Sequence, residues 1–171
     1  MTTQANIDLA GFVGTWKLNT QRTSVDFRTS VAWIIRARGT LKAIRGNARI
    51  GADGRVSGEI VIAPASVDTK IKKRDDHLRS ADYFDVANYP TITFNVAEIR
   101  PALSGEFEVV GNLDVHGQST PLTLLAEVDL KGDSATLSTE VVITKGMLGM
   151  KKTTPAKSWV TVLAHFDRAR P

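Results

Sequence analysis

Leu122-Thr123-Leu124-Leu125-Ala126-Glu127-Val128-Asp129-Leu130 alternates with a period of two: Leu122, Leu124, Ala126, Val128 and Leu130 are apolar, opposed by Thr123, Glu127 and Asp129. Successive side chains of a strand point to opposite faces, so this run builds one buried face and one wetted face. That is the pattern of a strand in an antiparallel sheet with a core on one side.

The same period recurs on both sides. Phe107, Val109, Leu113 and Val115 oppose Glu108, Asn112 and Asp114, and Ile92, Phe94 and Val96 oppose Thr91, Thr93 and Asn95. Val160, Val162, Ala164 and Phe166 oppose Thr161 and His165, while Val56, Ile60 and Ile62 oppose Ser57 and Glu59. Turn signals separate the runs: Asp53-Gly54, Gly117-Gln118-Ser119, Lys131-Gly132-Asp133-Ser134, and Arg100-Pro101, where proline cannot donate to a ladder. About eight strands are expected, at the turn spacing of a barrel or sandwich. Consecutive hairpins with single apolar faces favour a closed up-and-down barrel, which removes exposed edges. The fold class expected is all-β: an eight-stranded antiparallel barrel in a single domain over residues 1–171, with its core at about 14–166.

Composition narrows the function classes. The chain has 171 residues, 42% of them hydrophobic and 23% charged, as in ordinary globular proteins. It has no cysteine, which excludes disulfides, thiol nucleophiles and cysteine metal sites. A net charge of +4 is mild and dispersed; its densest cluster, Lys70 to Arg74, runs directly into Asp75 and Asp76. No basic face interleaved with aromatics appears, so nucleic acid is not an expected partner. No run approaches the roughly 20 apolar residues of a membrane span, although peripheral contact with an anionic membrane surface stays open. The N-terminus lacks the basic and apolar regions of a signal peptide, so a cytoplasmic location is the expectation.

One long segment breaks the strand pattern. Between Thr69 and Asn88, Ile71, Leu78 and Ala81 can share a helical face, and Ser80 or Asp82 can cap a second short turn holding Tyr83 and Phe84. Pro90 then forces an extended entry to the next strand. A helical connection of this length would lie across a barrel end or a sheet face.

Candidates for chemistry are few. His77, His116 and His165 lack the close spacing of metal ligands. His116 precedes Gly117 as a turn residue, and His165 falls on the polar face of its strand. His77 lies beside Asp75 and Asp76, where a catalytic or ligand-orienting role competes with a helix-anchoring hydrogen bond. Asp68, Asp75, Asp82 and Asp85 read first as caps and helix-dipole partners. No G-x-S-x-G occurs, and Gly146-Met147-Leu148-Gly149-Met150 follows a strand without a phosphate-loop context. Its methionines are either adaptable contacts at a barrel mouth or a plain hairpin tip.

An eight-stranded barrel either fills itself with side chains or holds one small ligand. Here inward positions mix Leu, Val and Ile with small residues such as Ala48, Gly58, Gly111 and Ala126, and the chain has only three Trp, two Tyr and six Phe. An apolar interior with room for a ligand is therefore expected.

The middle segment also carries a resemblance. Ser66-Val67-Asp68-Thr69, Arg74-Asp75-Asp76-His77-Leu78-Arg79-Ser80, Asp82-Tyr83-Phe84-Asp85 and Tyr89-Pro90-Thr91-Ile92-Thr93-Phe94 resemble the signature of the YceI-like family, lipocalin-like polyisoprenoid-binding proteins. Trp16-Lys17-Leu18 with Ser24-Val25-Asp26-Phe27 is similar to the family's opening strand, and Arg38-Gly39-Thr40 and Gly111-Asn112-Leu113-Asp114-Val115-His116-Gly117 also fit. Two departures stand out. Val31 replaces a frequent His, and Lys145-Gly146-Met147-Leu148-Gly149 replaces a frequent Arg-x-Asp-aromatic-Gly.

The resemblance implies a lipocalin-like barrel with an apolar tunnel for a polyisoprenoid, isoprenoid quinone or fatty-acid-like amphiphile, and a helical connection near its mouth. Family members are often periplasmic. The expected function is binding and carriage of a hydrophobic small molecule, with no catalysis and no cofactor beyond such a lipid. The ligand-binding candidates are Phe27, Trp33, Ile60, Phe94, Leu113, Leu124 and Phe166 along the tunnel, Phe84 and Met147 nearer an end, and His77 and Arg79 by a head group. Two alternatives stay open: an isomerase or cyclase with His77 and Asp75 as acid and base, or a barrel whose helical region binds a protein. A homodimer is also compatible with the sequence.

Overall fold

The computed structural model describes residues 8–31, 35–149 and 157–170. Nine strand segments form one antiparallel sheet: β1 (Gly14–Leu18), β2 (Ser24–Val31), β3 (Ile35–Ile50), β4 (Val56–Asp68), β5 (Ile92–Pro101), β6 (Phe107–Val115), β7 (Gln118–Lys131), β8 (Ser134–Thr144) and β9 (Lys157–Arg168). Neighbours in the chain from β2 to β9 are neighbours in the sheet, and β9 pairs back onto β2. The barrel is thus closed and up-and-down, as the alternation predicts.

Nine segments make eight staves because β1 and β2 share one slot. β1 pairs with the end of β3, Gly14 to Lys17 against Ile50 to Asn47, and with Phe166 to Arg168 of β9. β2 pairs with the start of β3, Val25 to Val31 against Leu41 to Ile35, and with Leu163 to Lys157 of β9. The stave is broken at residues 19–23, where Asn19 N–H donates to His165 O at 2.7 Å and Thr23 Oγ1 accepts from His165 N–H at 3.1 Å. His165 is consequently half-buried under this kink, where the sequence placed it on the surface.

One end of the barrel is plugged. Trp16, 1% exposed, packs with Leu18, Ile50 and Phe166, and a short 3-10 helix at Leu9–Phe12 adds Leu9 and Phe12 to the cluster. The Trp16 indole N–H donates to Phe12 O at 3.0 Å. Arg168 holds the plug from outside: its guanidinium lies 5.7 Å from the Trp16 ring centroid and donates to Gly11 O and Val13 O. A buried indole whose N–H is partnered makes a stable floor.

The opposite end carries the helical connection. α1 (Lys72–Arg79) follows β4, and a one-turn helix α2 (Lys145–Leu148) follows β8. The β6–β7 turn is here too: His116 and Gly117 both have positive φ (52° and 74°), the signature of a type I′ hairpin. The turn thus falls one residue earlier than Gly117-Gln118-Ser119 suggests, and Gln118 and Ser119 already belong to β7.

Two of the small inward residues serve the backbone as well as the interior. Gly58 borders the interior space, and neither Gly58 nor Gly111 has room for a side chain. A Cβ on Gly111 would sit 2.0 Å from Asn95 O, and one on Gly58 would sit 2.3 Å from Asn47 O. They flank Val96 in the register Gly58–Val96–Gly111, beside the irregularity between Val96 and Glu98. Glycine here lets neighbouring backbones approach closely, as it does at sharp bends in barrels.

Candidate functional site

The interior contains a cavity of about 460 Å³, within the range of small-molecule sites. Its wall is built by the inward faces of the strands, with Phe27 from β2, Ile60 from β4, Phe94 from β5, Leu113 from β6, Leu124 from β7 and Phe166 from β9. At the open end it is framed by His77 and Leu78 of α1, by Tyr83 and Phe84 of the following turn, and by Leu148 of α2. A second hollow, on the outer face, is lined by Asp26, Arg28, Arg38, Asp68, Lys70, Glu140 and Trp159, and its charges pair with one another, as in Arg28–Glu140 and Lys70–Asp68. Of these two, the inner cavity is the one that offers a long apolar surface.

Eight of the residues expected from sequence are placed on the cavity wall: Phe27, Ile60, His77, Phe84, Phe94, Leu113, Leu124 and Phe166. Trp33 lies outside the described residues. Arg79 and Met147 are corrections. Arg79 does not line the cavity; its Nε donates to Ala65 O at 2.8 Å and its Nη2 to Val67 O at 2.9 Å, so the guanidinium clamps α1 to β4. Met147 turns back on its own helix, where its sulfur accepts from Thr144 N–H at 3.5 Å, and Leu148 faces the cavity instead. The reasoning from sequence also missed Thr29 and Ser158. Extending the alternation of β9 two residues back from Val160 would have found Ser158.

The helical segment is latched by its charges. The Asp75 carboxylate is buried (7% exposed) and accepts from Thr69 N–H at 2.8 Å and from the Thr69 hydroxyl. Arg74 donates from Nε to Thr69 Oγ1 at 2.9 Å and from Nη2 to Thr69 O at 3.0 Å. Asp76, held by Lys72 and Arg79, has its carboxyl lowered below the usual carboxylate range, first by the Lys72 hydrogen bond. Asp68 is lowered likewise, chiefly by hydrogen bonds from the Lys70 backbone and side chain. Ile71 and Ala81, expected on the packed helical face, are exposed, while Leu78 does face the interior. The packed face is set by Asp75 and Leu78, because a carboxylate that satisfies buried N–H and O–H donors can be buried where a lone one cannot.

His77 and Asp75 do not form an acid–base pair. Asp75 is engaged by Thr69, whereas His77 Nε2 lies 3.0 Å from Asp82 Oδ2 and its ring meets Tyr83 edge-on at 5.0 Å between centroids. No group of three or more metal-ligating side chains occurs among the described residues.

Removing the Asp75 latch tests its role. Asp75→Ala leaves two buried donors of Thr69 without an acceptor, at about 1–3 kcal/mol each. Loss of about 2–4 kcal/mol is expected in denaturant unfolding, with faster hydrogen exchange over residues 69–88. Both bonds go to Oδ1, an acceptor that asparagine retains, so Asp75→Asn should recover at least half of the loss. Equal losses for the two variants would show that the carboxylate charge, and not its acceptor geometry, holds the segment.

A closed up-and-down barrel, plugged at one end and framed by a helix at the other around an apolar cavity, defines the lipocalin-like class. The chain belongs to the YceI-like family, whose domain it matches over residues 16–165. A UPF0312 protein of Vibrio cholerae is 42% identical over 62 residues, 36% of this chain and 33% of that protein. Another, from Azotobacter vinelandii, is 35% identical over 68 residues, 40% of this chain and 35% of that protein. The chain thus spans about a third of the length of the curated relatives it matches. Among solved structures, Burkholderia cenocepacia BcnA superposes with a TM-score of 0.77 at 19% identity, covering 86% of this chain and 98% of that one. A polyisoprenoid binding domain from Saccharophagus degradans, implicated in plant cell wall breakdown, does so at 0.70 and 16% identity, covering 90% and 98%. At these identities the likeness is one of fold.

Proposed function

We infer that this protein binds a single long-chain apolar ligand inside the barrel, of the polyisoprenoid, isoprenoid quinone or fatty-acid-like class, and carries or sequesters it without chemical change. The apolar cavity, closed by Trp16 at one end and framed by α1 at the other, is the observation that carries this reading. The tail would run toward the plug and the polar head would lie toward the α1 end of the barrel. Burying several hundred Å² of tail at about 25 cal/mol/Å² gives a gross gain of order 10 kcal/mol, against an association cost of about 4–15 kcal/mol. The fold likeness to a polyisoprenoid binding domain supports the same class. The internal engagement of Asp75 and His77 favours carriage over acid–base catalysis.

Native mass spectrometry with lipid extraction, on protein purified from its own source, tests this. A co-purifying prenyl or acyl lipid in one-to-one ratio is expected, released unchanged on denaturation. A barrel that arrives empty and takes up neither prenyl nor acyl chains overturns the reading. Turnover of the bound lipid would move the protein to the enzyme class.

A further inference from the structure

Two hydroxyls interrupt the apolar wall at one height. Thr29 of β2 and Ser158 of β9 are direct partners across the β2–β9 ladder, and both line the cavity. The next inward residues on the same strands, Phe27 and Val160, are apolar, as is Ile143, which pairs with Ser158 from β8. Ser158 is 8% exposed. Thr29 is half-buried, and no hydrogen bond ties either hydroxyl to another described residue. Thr139, another buried hydroxyl of the wall, shows the contrast: it donates to Leu125 O at 2.7 Å.

A hydroxyl adds nothing to a purely apolar wall, and valine suits a strand at least as well as serine or threonine. Directly opposed residues place their Cβ atoms about 4.5–5.5 Å apart, close enough for two hydroxyls to converge on one ligand atom. Ala37, the β3 partner of Thr29, is small and keeps that position open. The charged groups of the mouth are already engaged within the protein: Arg74 Nε and Nη2 with Thr69, and His77 Nε2 with Asp82. That arrangement suits a neutral head better than a phosphate. Each hydroxyl can donate one hydrogen bond, so an acceptor oxygen is the fitting partner.

We propose that Thr29 and Ser158 form a head-group subsite inside the barrel for a neutral carbonyl oxygen on the tailed ligand, which it anchors at a fixed depth below the mouth. The carbonyl is that of a ring ketone or of an ester. This rests on the lipid-binding reading above and adds the chemistry that distinguishes one amphiphile from another.

The test titrates the full chain with four probes of matched tail length: a prenyl benzoquinone, an acyl methyl ester, a prenyl hydrocarbon and a prenyl diphosphate. Wild type is expected to bind one or both carbonyl probes about 10-fold or more tighter than the hydrocarbon, a factor of about 1.4 kcal/mol. Preference for quinone or ester identifies the source of the carbonyl. Thr29→Val with Ser158→Ala should bring carbonyl affinity down to the hydrocarbon level and leave hydrocarbon affinity unchanged. Thr29→Ser, which keeps the hydroxyl, should retain most of the advantage, and thermal melts verify that each variant folds. Equal carbonyl and hydrocarbon affinity in wild type, an unaltered carbonyl affinity in the double variant, or tightest binding of the diphosphate overturns the subsite while the lipid-binding reading stands. If no probe enters wild type, that reading fails and the subsite falls with it.

Discussion

Leu124→Trp should abolish ligand uptake while leaving the barrel folded. Leu124 sits on β7 opposite Val109, and both face the cavity. In a filled core, so large an added side chain costs about 1–3 kcal/mol in forced rotamers and backbone shifts. Here the indole has a cavity of about 460 Å³ to enter, so a melting temperature equal to or above wild type is expected. Binding moves the other way. Displacing three or four methylenes of a bound tail, at about 0.8 kcal/mol each, removes about 3 kcal/mol, or more than a hundredfold in affinity. The adjacent Leu125 supplies the control, since it is 51% exposed on the outer face, and Leu125→Trp should leave affinity within about twofold. The one-residue offset matters because a register slip would exchange the two faces. Equal effects of the two substitutions on binding would mean that the ligand does not lie inside the barrel.

This contrast between neighbouring residues is also where sequence was most informative. Alternation alone placed Leu124, Leu113, Phe94 and Phe166 on the inner face, because each run opposes apolar residues to Thr, Glu, Asp or Asn with a period of two. Alternation by itself could not show that Trp16-Lys17-Leu18 and Ser24-Val25-Asp26-Phe27 occupy one slot, although the family resemblance already joined them as one opening strand. Alternation resumes after residues 19–23 as if a new strand had begun, and only pairing with β3 and β9 identifies a broken stave. Arg79 was misread for a related reason. A guanidinium beside an expected mouth looks like a head-group contact, but its actual acceptors, Ala65 O and Val67 O, are backbone carbonyls brought near only by the fold. Local period is visible in sequence. The partner that satisfies a given donor depends on the tertiary structure.

Gly111→Ala should cost more stability than any comparable glycine change, since the added methyl would overlap Asn95 O at 2.0 Å and touch the Phe94 ring at 3.0 Å. A side chain tip can rotate away, but Asn95 O belongs to the β5 backbone, and moving it disturbs the Asn95–Asn112 and Val96–Gly111 pairings. A loss of about 3 kcal/mol is expected, lowering the melting temperature by about 6–12 °C for a chain of this size. Gly11→Ala provides the reference: nothing lies within 4 Å of its added Cβ, and a change within about 0.5 kcal/mol is expected. Calorimetry on both variants at one protein concentration reads the difference; matching melting temperatures would refute the close crossing of β5 and β6. The same crossing bears on function. If the methyl is accommodated by a one-residue slip of β5 against β6, Ile92, Phe94 and Val96 of β5 rotate out of the cavity together. Ligand affinity in Gly111→Ala should therefore fall even below its melting temperature, whereas Gly11→Ala should bind as wild type does.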